Sequence, residues 1–119
     1  MRYNRQESLR YTLKNSPPAK FKIFQIEDNP VHTSVGDGHV LNLSPNGLLL
    51  STNLKMPFHK KVRVIIMATF LNTSVEWKAE IVWGKEKGST YHYGLTLLDD
   101  HSKEIIRILK QYKANESTS

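Results

Sequence analysis

Cysteine is absent from the 119 residues, which excludes disulfide staples, a thiol nucleophile and any zinc site built on thiolates. The chain must hold together by burial alone. With 39% hydrophobic residues at this length, a single domain can hide roughly two-thirds of its unfolded surface, and a second domain is not expected. Long apolar runs are also missing. No stretch is long enough to cross a bilayer as a helix, and Met1–Glu7 has no apolar segment that could serve as a signal peptide. These absences together point to a reducing, cytoplasmic setting. No Gly-rich phosphate loop opens a helix, and Ser44 lacks the Gly-x-Ser-x-Gly surround of a nucleophile elbow. The five histidines, His32, His39, His59, His92 and His101, are scattered without the spacing that one helix face would offer a metal. The reading is a protein without catalysis, metal or resident cofactor.

What the chain does have is positive charge. Seventeen Lys and Arg against eleven acids give a net +6, which favours an anionic partner such as nucleic acid, a nucleotide or a membrane surface. The stretch around which the rest is arranged is Asn42-Leu43-Ser44-Pro45-Asn46-Gly47. Read as an extended run, Leu41 and Leu43 fall on one face and Asn42 and Ser44 on the other, so two small hydrogen-bonding side chains stand side by side on an outer face. Pro45 presets φ, and Asn46-Gly47 is expected to supply the positive φ of a tight reversal. The result is strand, turn, strand.

Residues 1–18 read as a flexible basic arm with Arg2, Arg5 and Arg10, closed by Pro17-Pro18. A strand is expected from Ala19 to Glu27, and its change of apolar parity between Ile23 and Phe24 predicts a bulge of the kind that bends a barrel wall. Gly36-Asp37-Gly38 reads as a turn. Lys61–Leu71 is the longest apolar stretch, with Val62, Val64, Ile66, Ala68 and Phe70 on one parity. After a turn at Asn72-Thr73, Val75, Trp77, Ala79, Ile81 and Trp83 alternate as inward residues, which makes both tryptophans core rather than stacking surface. Tyr91, Tyr93, Leu95 and Leu97 line one face of a last strand. Asp99 or Asp100 then caps an amphipathic helix with Ile105, Ile108, Leu109 and Tyr112 at helical spacing, so that the domain runs over 19–113 and 114–119 form a frayed tail.

This order of features resembles the PilZ domain family over nearly the whole chain. The match rests on an arginine-containing arm, Asn-x-Ser-x-x-Gly at a strand-turn-strand, an Ile-Val-Trp strand, and Tyr-Gly-Leu-x-Leu-Leu-Asp before a final helix. The resemblance implies an all-β fold with a terminal helix: a six-stranded antiparallel barrel plus a C-terminal α-helix. It also implies a bacterial cytoplasmic setting, binding of the second messenger cyclic di-GMP, and relay of the signal to a partner protein. By the same resemblance, the ligand-binding residues are Arg5, Arg10, Asn42, Ser44 and Gly47. Arginine's fork of donors suits both a phosphodiester and the O6/N7 acceptor edge of guanine.

The arm departs from the family pattern at one position. The run is Arg5-Gln6-Glu7-Ser8-Leu9-Arg10, so Gln6 stands where the first of two arginines separated by three residues is expected. Glutamine's amide pairs one donor with one acceptor and carries no charge for phosphate. Two further readings stay open. One is a PilZ-like adaptor with weak or no nucleotide binding, acting by protein contact through the terminal helix or through Val82 and Leu98. The other is a small basic barrel binding single-stranded nucleic acid, which needs exposed aromatic side chains in a basic groove.

Overall fold

A computed structural model describes residues 11–118, with side chains to residue 115. In chain order these form β1 (Tyr11–Thr12), β2 (Pro18–Ile26), β3 (Asn29–Pro30), β4 (Gly36–Ser44), β5 (Gly47–Thr52), β6 (Val62–Phe70), β7 (Thr73–Lys87), β8 (Thr90–Leu97) and α1 (Ser102–Thr118). Every pairing is antiparallel. The order β4-β5-β8-β7-β6-β2 closes on itself because Pro18–Phe21 of β2 also pair with Gly36–His39 of β4. The fold is therefore the expected six-stranded barrel, with β1 and β3 as short additions at its edges.

The barrel interior is filled by one parity of each strand. Val62, Val64, Ile66, Ala68 and Phe70 of β6 are buried, as are Val75, Trp77, Ala79 and Ile81 of β7 and Tyr93 and Leu95 of β8. Three breaks in register let the wall curve. The first falls at Phe24, between Ile23 and Gln25, where the sequence changes parity. The second falls at Leu41, so Val40 and Leu43 point inward and Leu41 does not share a face with Leu43 as expected. The third falls at Val82 and overturns another expectation: Trp77 is 1% exposed, whereas Trp83 is turned outside and 43% exposed.

Gly36-Asp37-Gly38 is not a turn but the start of β4. The glycines are there for space. A Cβ at Gly36 would come within 2.6 Å of Leu54 Cδ1 and 2.9 Å of Phe21 Cζ, and one at Gly38 within 2.6 Å of the Ser51 carbonyl oxygen. The chain reversal lies earlier, at Glu27-Asp28, after which Asn29–Pro30 already run antiparallel to β2.

Helix α1 covers one end of the barrel and continues beyond Lys113. Asp100 caps it: Oδ1 accepts from the Ser102 N–H at 3.0 Å and the Ser102 hydroxyl at 2.7 Å, which holds this carboxyl below its usual range. Ile105 and Ile108 are fully buried, and the buried indole of Trp77 donates to Glu104 Oε1 at 3.0 Å. That bond satisfies the one polar atom of the largest core side chain.

Candidate functional site

The turn of the Asn-x-Ser-x-x-Gly segment sits at the helix-covered end. Ser44 pairs with Gly47, so the two turn residues are Pro45 and Asn46, and Gly47 already belongs to β5. Neither Asn46 nor Gly47 is among the positive-φ residues, contrary to the expectation that Asn-Gly supplies a left-handed reversal. Gly47 is needed for a different reason. A Cβ there would collide with the backbone carbonyl of Leu95 on β8, so any larger residue would force β5 and β8 apart. The turn is held down further by the Leu97 N–H, which donates to the Asn46 carbonyl at 2.9 Å.

Asn42 and Ser44 do share the side of β4 opposite Leu43, but they are not openly displayed. Asn42 is half-buried, and Ser44 is 7% exposed with its hydroxyl donating to the Gly47 carbonyl at 3.2 Å. The donor of Ser44 therefore serves the turn, and its lone pairs are what it can offer a ligand. Arg5, Gln6 and Arg10 lie outside the described residues. Tyr11 pairs with Leu43 and Thr12 with Asn42, antiparallel, so the Tyr11 end of β1 lies on the Ser44 side of β4.

A groove of about 400 Å³ adjoins the turn, bounded by Pro45, Asn46, Leu98, Asp99, Asp100 and Ile106. Its carboxylates oppose an anionic ligand, and Leu98 and Ile106 leave apolar surface exposed there. A larger hollow of about 720 Å³ lies on another side of the barrel, around Lys20, Asp37, His39, Met67 and Glu76, and none of the motif residues lines it. Its Lys20–Asp37 ion pair, 2.6 Å long, is solvent-exposed and contributes little to stability. Chemistry and concavity thus do not coincide, and the motif residues define the more informative site. No group of three or more His, Cys, Asp or Glu among the described residues is arranged to hold a metal.

One residue with ligand-binding chemistry escaped the sequence reading. The indole of Trp83 lies on Gly94, close enough that a Cβ at Gly94 would collide with Nε1. In register, Asn42 pairs with Leu49, Leu49 with Gly94 and Gly94 with Trp83, so one outer row joins the motif to this aromatic surface. The indole lies back over β8, two strands from Asn42, or about 10 Å at ordinary strand spacing. The only sequence signal was the pair itself: a tryptophan opposite a glycine. The bulge that turns Trp83 outward has no signature in Ile81-Val82-Trp83.

The comparisons with known proteins agree with the geometry. No curated protein and no solved structure matches the chain. The family model described as PilZ domain matches residues 5–114, which includes the arm, the motif turn, all six barrel strands and most of the helix. A barrel closed by β2 against β4, capped by a C-terminal helix and matched over most of its length, places this chain in the PilZ domain family.

Proposed function

We propose that the protein is a receptor for cyclic di-GMP that relays occupancy to a partner protein and performs no chemistry of its own. The observation that carries this reading is the family match over residues 5–114, supported by the register of β1, whose first residue, Tyr11, pairs beside the motif turn. Arg10 supplies the charge-assisted fork to phosphate or to a guanine O6/N7 edge, and Arg5, one residue ahead of the motif position, adds positive charge without restoring the fork that Gln6 lacks. Asn42 offers its amide and Ser44 its lone pairs, while Gly47 keeps the turn packed against β8. Trp83 is the stacking surface for one guanine at the far end of the row.

Because Gln6 removes one charge-assisted contact, worth roughly 1.5–3 kcal/mol, the affinity is micromolar or weaker. Melting curves test the reading. Saturating cyclic di-GMP raises the melting temperature, and cyclic di-AMP, which lacks the double-acceptor edge, does not. Equal shifts with both nucleotides, or none with either, contradict it.

The acidic, apolar groove of Leu98, Asp99 and Ile106 favours a second reading, in which this end of the barrel contacts a protein and nucleotide binding is lost. That reading predicts no thermal shift with either nucleotide. Single-stranded nucleic acid binding gains one exposed aromatic from the outward turn of Trp83, against the expectation that both tryptophans lie inside.

A further inference from the structure

Strand β5 carries the motif turn at its start and a loop at its opposite end, residues 53–61. That loop reads Asn-Leu-Lys-Met-Pro-Phe-His-Lys-Lys, with three lysines, no acid and two large apolar side chains left outside. Met56 is its anchor: it is buried, and its N–H donates to the Tyr93 hydroxyl at 2.6 Å. Leu54 is 48% exposed and Phe58 37%, and each lies against a glycine of the barrel wall. Leu54 rests on Gly36, and Phe58 and Tyr93 share the bare side of Gly84, at 2.8 and 2.9 Å from where a Cβ would stand. Val35, next to Gly36, is exposed as well. Lys55, Lys60 and Lys61 of the same loop are exposed, as is Lys85, which follows Gly84 on β7. Of the acids nearby, Glu27 already uses one carboxylate oxygen to accept the Lys61 N–H at 3.1 Å.

We propose that this rim docks the protein on an anionic lipid surface, with Leu54 and Phe58 entering the headgroup layer and the lysines facing the lipid charges. Exposed apolar side chains in a loop rich in lysine match the composition of interfacial anchors, and lysines at an anionic surface add attraction that falls off within a Debye length. A nucleic acid fits less well, because Leu54 and Val35 present no π face on which a base could stack. Docked in this way, the protein keeps its motif turn, at the other end of β5, pointed away from the lipid. The inference does not depend on the messenger.

Co-sedimentation of the whole protein with phosphatidylcholine vesicles, with and without phosphatidylglycerol, tests the proposal. Binding is expected only with phosphatidylglycerol, weakens as salt is raised, and falls roughly tenfold or more in the double variant Lys60→Glu/Lys61→Glu. Leu54→Ser and Phe58→Ser each weaken it several-fold at low salt, and Leu54→Ser carries this arm if Phe58→Ser does not fold by circular dichroism. Indifference to phosphatidylglycerol, or to the charge reversal, overturns the proposal. So does salt-sensitive binding to a single-stranded oligonucleotide that exceeds vesicle binding and ignores Leu54→Ser.

Discussion

Trp77 and Trp83 stand on the same strand, six positions apart and on the same parity, and the fold treats them in opposite ways. Trp77 fills the barrel, stacks on Phe70 at 5.7 Å between ring centroids and is pinned to the helix through Glu104. Trp83 lies outside on Gly94 with nearly half its surface in water. One extra residue, Val82, separates the two environments. The half of β7 up to Ile81 turns its large side chains into the core, and the half after Val82 lays Trp83 on the outer face over Gly94 of β8.

The contrast predicts unequal costs. Trp77→Ala leaves a large cavity and removes the indole's tie to Glu104, so it is expected to lower unfolding stability by about 4 kcal/mol in denaturant titrations. Gly47→Ala tests whether the motif turn belongs to the rigid half. Its added methyl meets the Leu95 backbone, which cannot swing aside like a side chain, and a loss of about 3 kcal/mol is expected by the same measurement. Trp83→Ala should cost only about 1 kcal/mol, because much of the indole is already hydrated, while weakening cyclic di-GMP in a calorimetric titration. A Trp83→Ala variant as unstable as Trp77→Ala would erase the distinction between the halves.

The smallest effect concerns His92, beside Lys85 on the open half. Burial, and secondarily the Lys87 ammonium, hold its imidazole below the usual value of 6.5. The unfolded chain therefore takes up a proton before the folded one does. This contribution to stability is complete above about 6.5 and declines as pH falls toward the lower folded value. Lys87→Gln removes the second cause, so an NMR titration of the His92 ring should show its midpoint moving part of the way back up.

The sequence made the strands and the closing helix legible wherever burial imposed a strict period. The alternation through Val62–Phe70 and Val75–Ile81, and the helical spacing of Ile105, Ile108 and Tyr112, each allow one arrangement only. The bulge at Phe24 was visible because apolar residues change parity there. Those at Leu41 and Val82 were not, since Leu41-Asn42-Leu43 and Ile81-Val82-Trp83 read equally well as unbroken strands. Glycine misled twice in the same way. Gly36, Gly38 and Gly47 look like turn residues, yet each is set by how closely another strand or side chain approaches, a long-range fact with no local sequence mark. At the site, the residue types were readable. That Ser44 uses its proton on the Gly47 carbonyl, and that Trp83 faces out, depended on geometry.

The central claim, that Arg10 and the motif turn together grip cyclic di-GMP, is tested most directly by isothermal titration of the intact protein beside Arg10→Ala and Gln6→Arg. The account predicts that Arg10→Ala weakens binding at least roughly tenfold and that Gln6→Arg strengthens it by a similar factor, one charge-assisted contact in each direction. Affinities that are the same for all three proteins would contradict it.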